Sequence, residues 1–278
     1  MKNRIYKPRD RKELLHLMET LDPYQIVNGG TDILVKLKEG KFFDSSLIDI
    51  HDLEFLQGID SEESVLRIGG AVTLSEVARD LRIGRDHPEL ASACLAVGSP
   101  QIRNQGTLAG NVANSSPAGD TIPALLVNEA RLSIDGIAGK REIELNAFFT
   151  GPGLNILQRG EYIEKIIIPA ANGAGVFLKM GQRKALAIAK VSLAVRHDTL
   201  FRIALGAVYK TPVLARKTMD YLNNCATVGQ AERAQAAEII RTDCEPITDI
   251  RSEAGYRLDM VVYLLDKALD QIKILQTH

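Results

Sequence analysis

The sequence predicts an α+β protein of two domains, and three features of the chain support this. In the first half, short apolar strands alternate with capped helices, and a glycine-rich loop joins a strand to a helix at residues 24–38. After residue 175, three strand patterns precede three helical patterns, which is typical of a sheet with helices packed beside it. Between the halves lies Pro169-Ala170-Ala171-Asn172-Gly173-Ala174-Gly175, a candidate boundary. We therefore predict domains at 1–170 and 175–278, the first divided into subdomains at about 1–55 and 56–170.

Capping signals and apolar spacing define the elements of the first subdomain. Asp10 and Glu13 have the spacing of a capping box and predict a helix to about Leu21. A strand is expected at 24–27, and Thr31 is placed to cap a helix that Gly40 ends. A second strand is expected at 46–50.

The second subdomain begins with a strand at 65–71 and a second capping box, Thr73 to Glu76, which predicts a helix to about Ile83. Another helix is expected at 87–97. Residues 99–116 are rich in Gly, Asn, Gln and Ser without helical periodicity, which predicts a long structured loop. A helix from Ser116 to about Asn128, with Pro117 in its first turn, follows. The remaining expected elements are a strand pair within 131–145 and a strand at 162–168.

The second domain is predicted to form an antiparallel sheet followed by helices. Its expected strands cover 176–179, 187–196 and 200–209, and its expected helices cover about 212–223, 228–241 and 253–275.

Composition and charge exclude several classes of function. The 278 residues carry 34 basic and 35 acidic side chains, so a basic nucleic-acid-binding face is not expected. Cys94, Cys225 and Cys244 form no C-x-x-C pair, and the histidines form no zinc-binding pattern, so we expect no metal site. Reduced thiols, no signal peptide and no apolar run of about 20 residues predict a cytoplasmic protein without a membrane span.

Two glycine-rich runs carry the main functional signal. The first is Asn28-Gly29-Gly30-Thr31-Asp32, and the second is Thr107-Leu108-Ala109-Gly110-Asn111. Successive free backbone N–H groups in such runs can form a concave anion site. Each run alone could equally be a structural turn. Two of them indicate a ligand that carries a pyrophosphate.

These motifs resemble those of the FAD subunits of molybdenum hydroxylases. This family includes the FAD subunits of xanthine dehydrogenases and the medium subunits of carbon monoxide, nicotinate and quinoline dehydrogenases. Residues 26–33 resemble its first flavin-binding loop, and residues 98–104 with 107–111 resemble its second. Asp120 stands at the place of a flavin-contacting aspartate. Lys179, four residues before Arg183-Lys184, is similar to a lysine near the isoalloxazine edge. The similarity extends from residue 1 to about 275.

The resemblance implies a fold, a cofactor and partners. The fold would be a two-subdomain FAD-binding domain of the PCMH/VAO type, followed by the C-terminal domain of CO dehydrogenase flavoproteins. The chain would bind FAD non-covalently and pass electrons from the [2Fe-2S] clusters of a small subunit to NAD or another acceptor. A large molybdopterin-containing subunit would hydroxylate the substrate in a heterotrimer or its dimer. This chain would hold no catalytic residue of its own. The implied FAD-binding residues are Ile26, Val27, Asn28, Gly29, Gly30, Thr31, Asp32, Ile33, Gly98, Thr107, Leu108, Ala109, Gly110, Asn111, Asp120, Ile163 and Lys179.

The chain departs from the family pattern in two ways. Ala109 stands where the second loop usually has glycine, which would matter only if that position required a positive φ. The insertion that carries an extra iron–sulfur cluster in some relatives is absent, so no cluster is expected here. Two alternatives remain open from the sequence: a self-contained flavin oxidoreductase of the VAO type, and an FAD-holding assembly subunit.

Overall fold

A parallel three-stranded sheet forms the first subdomain. The computed structural model describes residues 4–42, 44–62, 65–170, 172–183 and 186–276. The strand order is β1-β3-β2, and Leu14 and Met18 of the first helix are buried in the core against Ile48 and Leu56. The elements are β1 (Ile5–Tyr6), α1 (Arg11–Thr20), β2 (Tyr24–Val27), α2 (Ile33–Lys38) and β3 (Ser46–Asp49).

The second subdomain combines an antiparallel sheet of order β4-β5-β10-β6-β7 with six helices, and a small hairpin, β8-β9, lies outside that sheet. Its largest core cluster joins the sheet to the helices through residues such as Ile68, Leu90 and Ile166. The strands are β4 (Ile59–Glu62), β5 (Val65–Gly69), β6 (Arg131–Gly136), β7 (Arg141–Glu144), β8 (Phe149–Gly151), β9 (Leu154–Asn155) and β10 (Glu161–Pro169). The helices are α3 (Leu74–Arg79), α4 (Leu81–Asp86), α5 (Pro88–Ala96), α6 (Pro100–Arg103), α7 (Leu108–Asn114) and α8 (Thr121–Val127).

The second domain is a four-stranded antiparallel sheet with three helices on one face. The strands lie in the order β11-β12-β13-β14. The elements are β11 (Ala174–Met180), β12 (Val191–His197), β13 (Phe201–Gly206), β14 (Val213–Leu214), α9 (Arg216–Asn223), α10 (Gln230–Arg241) and α11 (Ala254–Gln276).

The side-chain alternation of β12 shows how the two domains meet. Val191, Leu193 and Val195 belong to the core that contains α11, whereas Ala194 on the opposite face belongs to the core of the second subdomain. This opposite face packs against α5 and α8. The sheet is therefore covered on both faces, and its position relative to the first domain is set by buried contacts.

A buried ion pair lies in this domain interface. Arg196 of β12 donates to Oε1 of Glu89 of α5 at 2.8 Å, and both side chains are fully buried. Asn128 donates to the same oxygen at 2.6 Å and is linked to the ring of His87. A Cβ at Gly175 would lie 1.6 Å from Oε2 of Glu89, so only glycine fits there. Burial lowers the pKa of His87, although its bond to Asn128 opposes this.

The α+β class and the antiparallel second sheet are confirmed, and most predicted elements occur close to their expected positions. Both capping signals operate: Asp10 accepts the N–H of Glu13 at 2.8 Å, and the Thr73–Glu76 box is complete. The short strands β1, β4, β8, β9 and β14 were not expected, and β14 occupies the start of the helix predicted from about 212, which begins at Arg216. Within the predicted boundary stretch, Ala171 lies outside the described residues.

Three local predictions were wrong. Residues 99–116 contain helices α6 and α7 instead of one long loop. The hydroxyl of Thr107 accepts the N–H of Gly110 at 3.0 Å and starts α7, whose apolar residues enter the core. The helix expected from Ser116 begins only at Thr121. Thr31 does not cap α2, because the N-cap position is Asp32 and makes no side-chain cap bond.

Within the described ranges, no helix combines the length and apolar character needed to cross a bilayer. Among the same residues, no cluster of three or more His, Cys, Asp or Glu is arranged to hold a metal ion.

Candidate functional site

A cleft of about 290 Å³ lies where the first glycine-rich run meets the second subdomain. Its walls come from the loop between β2 and α2, from α7, and from β10. Twelve of the predicted site residues line this cleft: Ile26, Asn28, Gly29, Gly30, Thr31, Asp32, Ile33, Thr107, Ala109, Gly110, Asn111 and Ile163. The structure thus brings the two glycine-rich runs, distant in sequence, to one place.

The first run meets the residues just before the second run, Gln105 and Gly106, backbone to backbone at Gly29. A Cβ on Gly29 would lie 1.9 Å from the carbonyl oxygen of Gln105 and 2.8 Å from Cα of Gly106. Any side chain at this position would push the loops apart. The next residue, Gly30, has a φ of 73°, a conformation that favours glycine. Both glycines of the first run are therefore required by the local geometry.

The first run offers unpaired backbone donors to the cleft. Among the described residues, the N–H groups of Gly29, Gly30, Thr31 and Asp32 have no hydrogen-bond acceptor. These four consecutive donors can form the concave anion site that the sequence predicts. Because α2 has only six residues, the local N–H groups supply the positive potential more than a long helix dipole does.

The second run uses most of its donors internally. The N–H of Leu108 donates to the carbonyl of Val72 at 3.1 Å, and the N–H groups of Gly110 and Asn111 both donate to Thr107 at 3.0 Å. Within the described chain this leaves Thr107 and Ala109 with unpaired N–H groups. Ala109 lies inside α7 and its φ is not positive, so its methyl group causes no backbone strain. The second run therefore contributes shape and packing more than an amide nest.

Side chains also hold the first loop in place. Asn28 donates to the carbonyl of Gly70 at 2.7 Å and lies 3.3 Å from the ring of His51. This side chain is thereby occupied with positioning the loop.

Three of the predicted residues lie near the cleft without lining it. The side chains of Val27 and Leu108 are buried in the protein. Gly98, with a φ of 48°, precedes α6, and its carbonyl accepts a hydrogen bond from Arg103 at 3.2 Å. Arg103 also binds the carbonyl of Val97 and is thus occupied in closing the end of α5.

Asp120 and Lys179 form a buried pair between the domains. Nζ of Lys179 lies 2.5 Å from Oδ2 of Asp120 and donates to the carbonyl of Ala96 at 3.0 Å. Oδ1 of Asp120 is buried and has no partner within the described chain. Burial raises the pKa of Asp120 to about 6, although the charge of Lys179 and its hydrogen bond oppose this. The pair leaves one buried carboxylate oxygen without a partner, and neither Asp120 nor Lys179 lines the cleft. Lys184, next to Arg183, lies outside the described residues.

The sequence interpretation missed several polar residues of the cleft, of which Lys36 and Asn114 are linked to the first run. Nζ of Lys36 donates to Oδ1 of Asn114 at 3.0 Å, and the amide of Asn114 donates to Asp32 at 3.2 Å. Both residues line the cleft. Lys36 lies one helical turn after Asp32, so helical spacing could have identified it once α2 was expected. Asn114 could not be found in this way, because its segment was interpreted as a loop.

Comparison with known families and structures identifies the chain's relatives. Residues 1–171 match the FAD binding domain in molybdopterin dehydrogenase, and residues 177–272 match the CO dehydrogenase flavoprotein C-terminal domain. The nicotinate dehydrogenase FAD-subunit of Eubacterium barkeri is 35% identical over 196 residues, which are 68% of this chain and 66% of that protein. The xanthine dehydrogenase FAD-binding subunit of Escherichia coli O157:H7 is 26% identical over 93% of this chain and 92% of its own length. A solved carbon monoxide dehydrogenase from Hydrogenophaga pseudoflava, which lacks the Mo-pyranopterin moiety, superimposes with a TM-score of 0.92 at 26% identity, covering 99% of this chain and 98% of that one.

The geometry of the cleft fits a flavin dinucleotide. Four unpaired amides of the first run face this cleft, and the glycine at the loop contact leaves no room for a side chain. Amide donors of this kind suit the diphosphate of a dinucleotide. The chain therefore belongs to the FAD-binding subunits of the molybdenum hydroxylase family, oxidoreductase components of the xanthine and carbon monoxide dehydrogenase class, and its cofactor is FAD.

Proposed function

We propose that this chain is the electron-transfer subunit of a molybdenum hydroxylase, placed between the [2Fe-2S] clusters of a small subunit and NAD or another acceptor. A large molybdopterin-containing subunit completes the heterotrimer or its dimer. The printed names of the relatives support this arrangement, because several are FAD subunits or medium chains of dehydrogenases. FAD, when bound, supplies both one-electron and hydride chemistry, while the protein sets its position and electrostatic surroundings.

The first loop supplies most of the hydrogen-bond donors for the diphosphate of FAD. The amides of residues 29–32 donate to the diphosphate, and the contact of Gly29 with Gln105 keeps these donors in place. The second run, residues 107–111, closes the other side of the cleft, where the N–H groups of Thr107 and Ala109 are unpaired among the described residues. Gly98, Ile163, Val27 and Leu108 complete the binding set predicted from the sequence, although the carbonyl of Val27 and the N–H of Leu108 already have backbone partners.

Asp120 and Lys179 act at the flavin end of the site. The free Oδ1 of Asp120 accepts a hydrogen bond from a ribityl hydroxyl or lies beside the ring. Lys179, held by Asp120 and the carbonyl of Ala96, holds a positive charge near the N1–C2=O edge. A fixed cation in a site with little water stabilises negative charge that develops on reduction.

The observation that carries this proposal is the set of four unpaired amides in the first run, next to the contact of Gly29 with Gln105. The test is to purify the chain and measure its FAD content and its anaerobic reduction by NADH. We expect one FAD per chain and loss of the oxidised flavin absorption on adding NADH. A chain that binds no flavin would refute the relay. A flavin that NADH does not reduce, but that dithionite does, would exclude NAD as the acceptor.

The same preparation separates the two alternatives. Turnover of an organic substrate by the isolated chain would indicate a self-contained flavin oxidoreductase. A bound flavin that exchanges electrons with no pyridine nucleotide, quinone or dye would indicate an assembly subunit. The domain boundaries at 170 and 175 and the cytoplasmic location stay predictions.

A further inference from the structure

The described cleft wall carries little positive charge to balance the negative charge of a diphosphate ligand. Among the described residues that line it, the charged ones are Asp32, Lys36 and Glu161. Glu161 is neutralised by Arg141, which binds its two oxygens at 2.7 and 2.8 Å. A diphosphate carries two negative charges, and the four free amides offer dipoles without net charge. Lys36 is thus the one basic side chain that the described part of the cleft wall presents.

The position of Lys36 on α2 directs its side chain toward the free amides. Its N–H donates to the carbonyl of Asp32 at 3.1 Å, one helical turn back. Side chains in an α-helix lean toward the N-terminus, so that of Lys36 extends over the turn that begins at Asp32. The side chain of Lys36 is partly buried. Its ammonium group is therefore screened less by water than that of a fully exposed lysine.

A hydrogen-bond chain holds the ammonium group of Lys36 at this end of the cleft. Nζ donates to Oδ1 of Asn114 on α7, and the amide of the same asparagine donates to Oδ1 of Asp32. Asn114 therefore fixes the lysine and occupies one carboxylate oxygen of Asp32. A lysine ammonium has three donors, and the contact with Asn114 uses one of them. Two donors remain for phosphate oxygens.

We propose that Lys36 is a diphosphate-binding residue of this chain and makes the cleft selective for a dinucleotide over a flavin without phosphate. The inference rests on FAD being the ligand, and it adds a charged side chain to a site otherwise built from amides. Lys38, exposed at the end of the same helix, is the matched control because it has the same charge but does not line the cleft.

The test is to titrate flavin-free protein with FAD and with riboflavin, following flavin fluorescence at low and high salt. Lys36→Met should lower the affinity for FAD about tenfold, the size of one charge-assisted hydrogen bond, and should reduce its salt dependence. Affinity for riboflavin should not change. Lys36→Arg should restore most of the FAD affinity, and Lys38→Met should behave as wild type.

Three results would overturn the proposal. One is an FAD affinity and salt dependence of Lys36→Met equal to those of Lys38→Met. Another is an equal loss for FAD and riboflavin, which would show that Lys36 maintains the shape of the cleft through Asn114. The third is failure of Lys36→Arg to recover FAD affinity when its melting temperature matches wild type. If wild-type protein itself bound no FAD, the cofactor assignment would fail first, so the two failures are distinguishable.

Discussion

Replacing Gly29 by alanine tests whether the contact between the first glycine-rich run and Gln105 builds the FAD site. The new Cβ would lie 1.9 Å from the carbonyl oxygen of Gln105, about 1.5 Å closer than an ordinary contact of 3.4 Å. The obstacle is backbone, so a rotamer change cannot relieve it, and the first loop must move away. An N–H···O hydrogen bond of about 2.9 Å does not survive a shift of that size.

The expected magnitude has two parts. Overpacking of this kind costs about 1–3 kcal/mol of unfolding free energy, which lowers the melting temperature by about 2–4 °C per kcal/mol in a protein of this size class. Losing one amide bond to a charged phosphate costs a further 1.5–3 kcal/mol of binding, roughly a tenfold to hundredfold weaker FAD affinity. Fluorescence titration and thermal unfolding measure the two separately.

Gly84 provides the control for this experiment. It lies within α4, has no positive φ, and a Cβ there would meet nothing within 4 Å. Gly84→Ala should leave FAD affinity unchanged and raise stability by about 0.5–1 kcal/mol, since alanine favours the helix. The reasoning is refuted if Gly29→Ala folds, as shown by an unchanged circular dichroism spectrum, and binds FAD as tightly as Gly84→Ala.

Three further predictions concern the domain interface and the second run. The folded pKa of Asp120, about 6, lies above the ordinary 3.8, so its protonation stabilises the flavin-free fold at low pH, and this contribution is lost as pH rises through 6. Asp120→Asn should remove this pH dependence of the free energy of unfolding between pH 3.8 and about 6. Lys179→Met should shift the dependence to higher pH, because the charge of Lys179 lowers the pKa of Asp120. Glu89→Gln should cost about 3–5 kcal/mol in denaturant unfolding because Arg196 stays buried and charged, whereas replacing both partners by methionine should cost less than the sum of the single losses. Ala109→Gly should lower stability by about 0.5–1 kcal/mol without tightening FAD, since its position is helical; tighter FAD binding would contradict this.

Local chemistry made much of the fold predictable. The Thr73–Glu76 capping box depends on residues three apart, and the structure contains both of its bonds. The strand, glycine loop and helix at residues 24–38 are also local, so their order could be inferred from apolar spacing and glycine alone. Predictions failed where neighbours distant in sequence decide the outcome. The segment of α7 is poor in helical periodicity, yet burial of Leu108 and Val112 in the core makes it a helix.

The sequence by itself determined the two glycine-rich runs, the domain order and the family pattern, because each depends on residue types at short spacing. Only the tertiary structure decided that Gly29 touches Gln105, that the first run keeps its amides free while the second consumes most of its own, and that Lys36 is held by Asn114. A free donor is defined by the absence of an acceptor, and the acceptor, such as the carbonyl of Val72 for Leu108, comes from a remote part of the chain. Local sequence specifies which groups exist, and long-range packing specifies which of them remain available to a ligand.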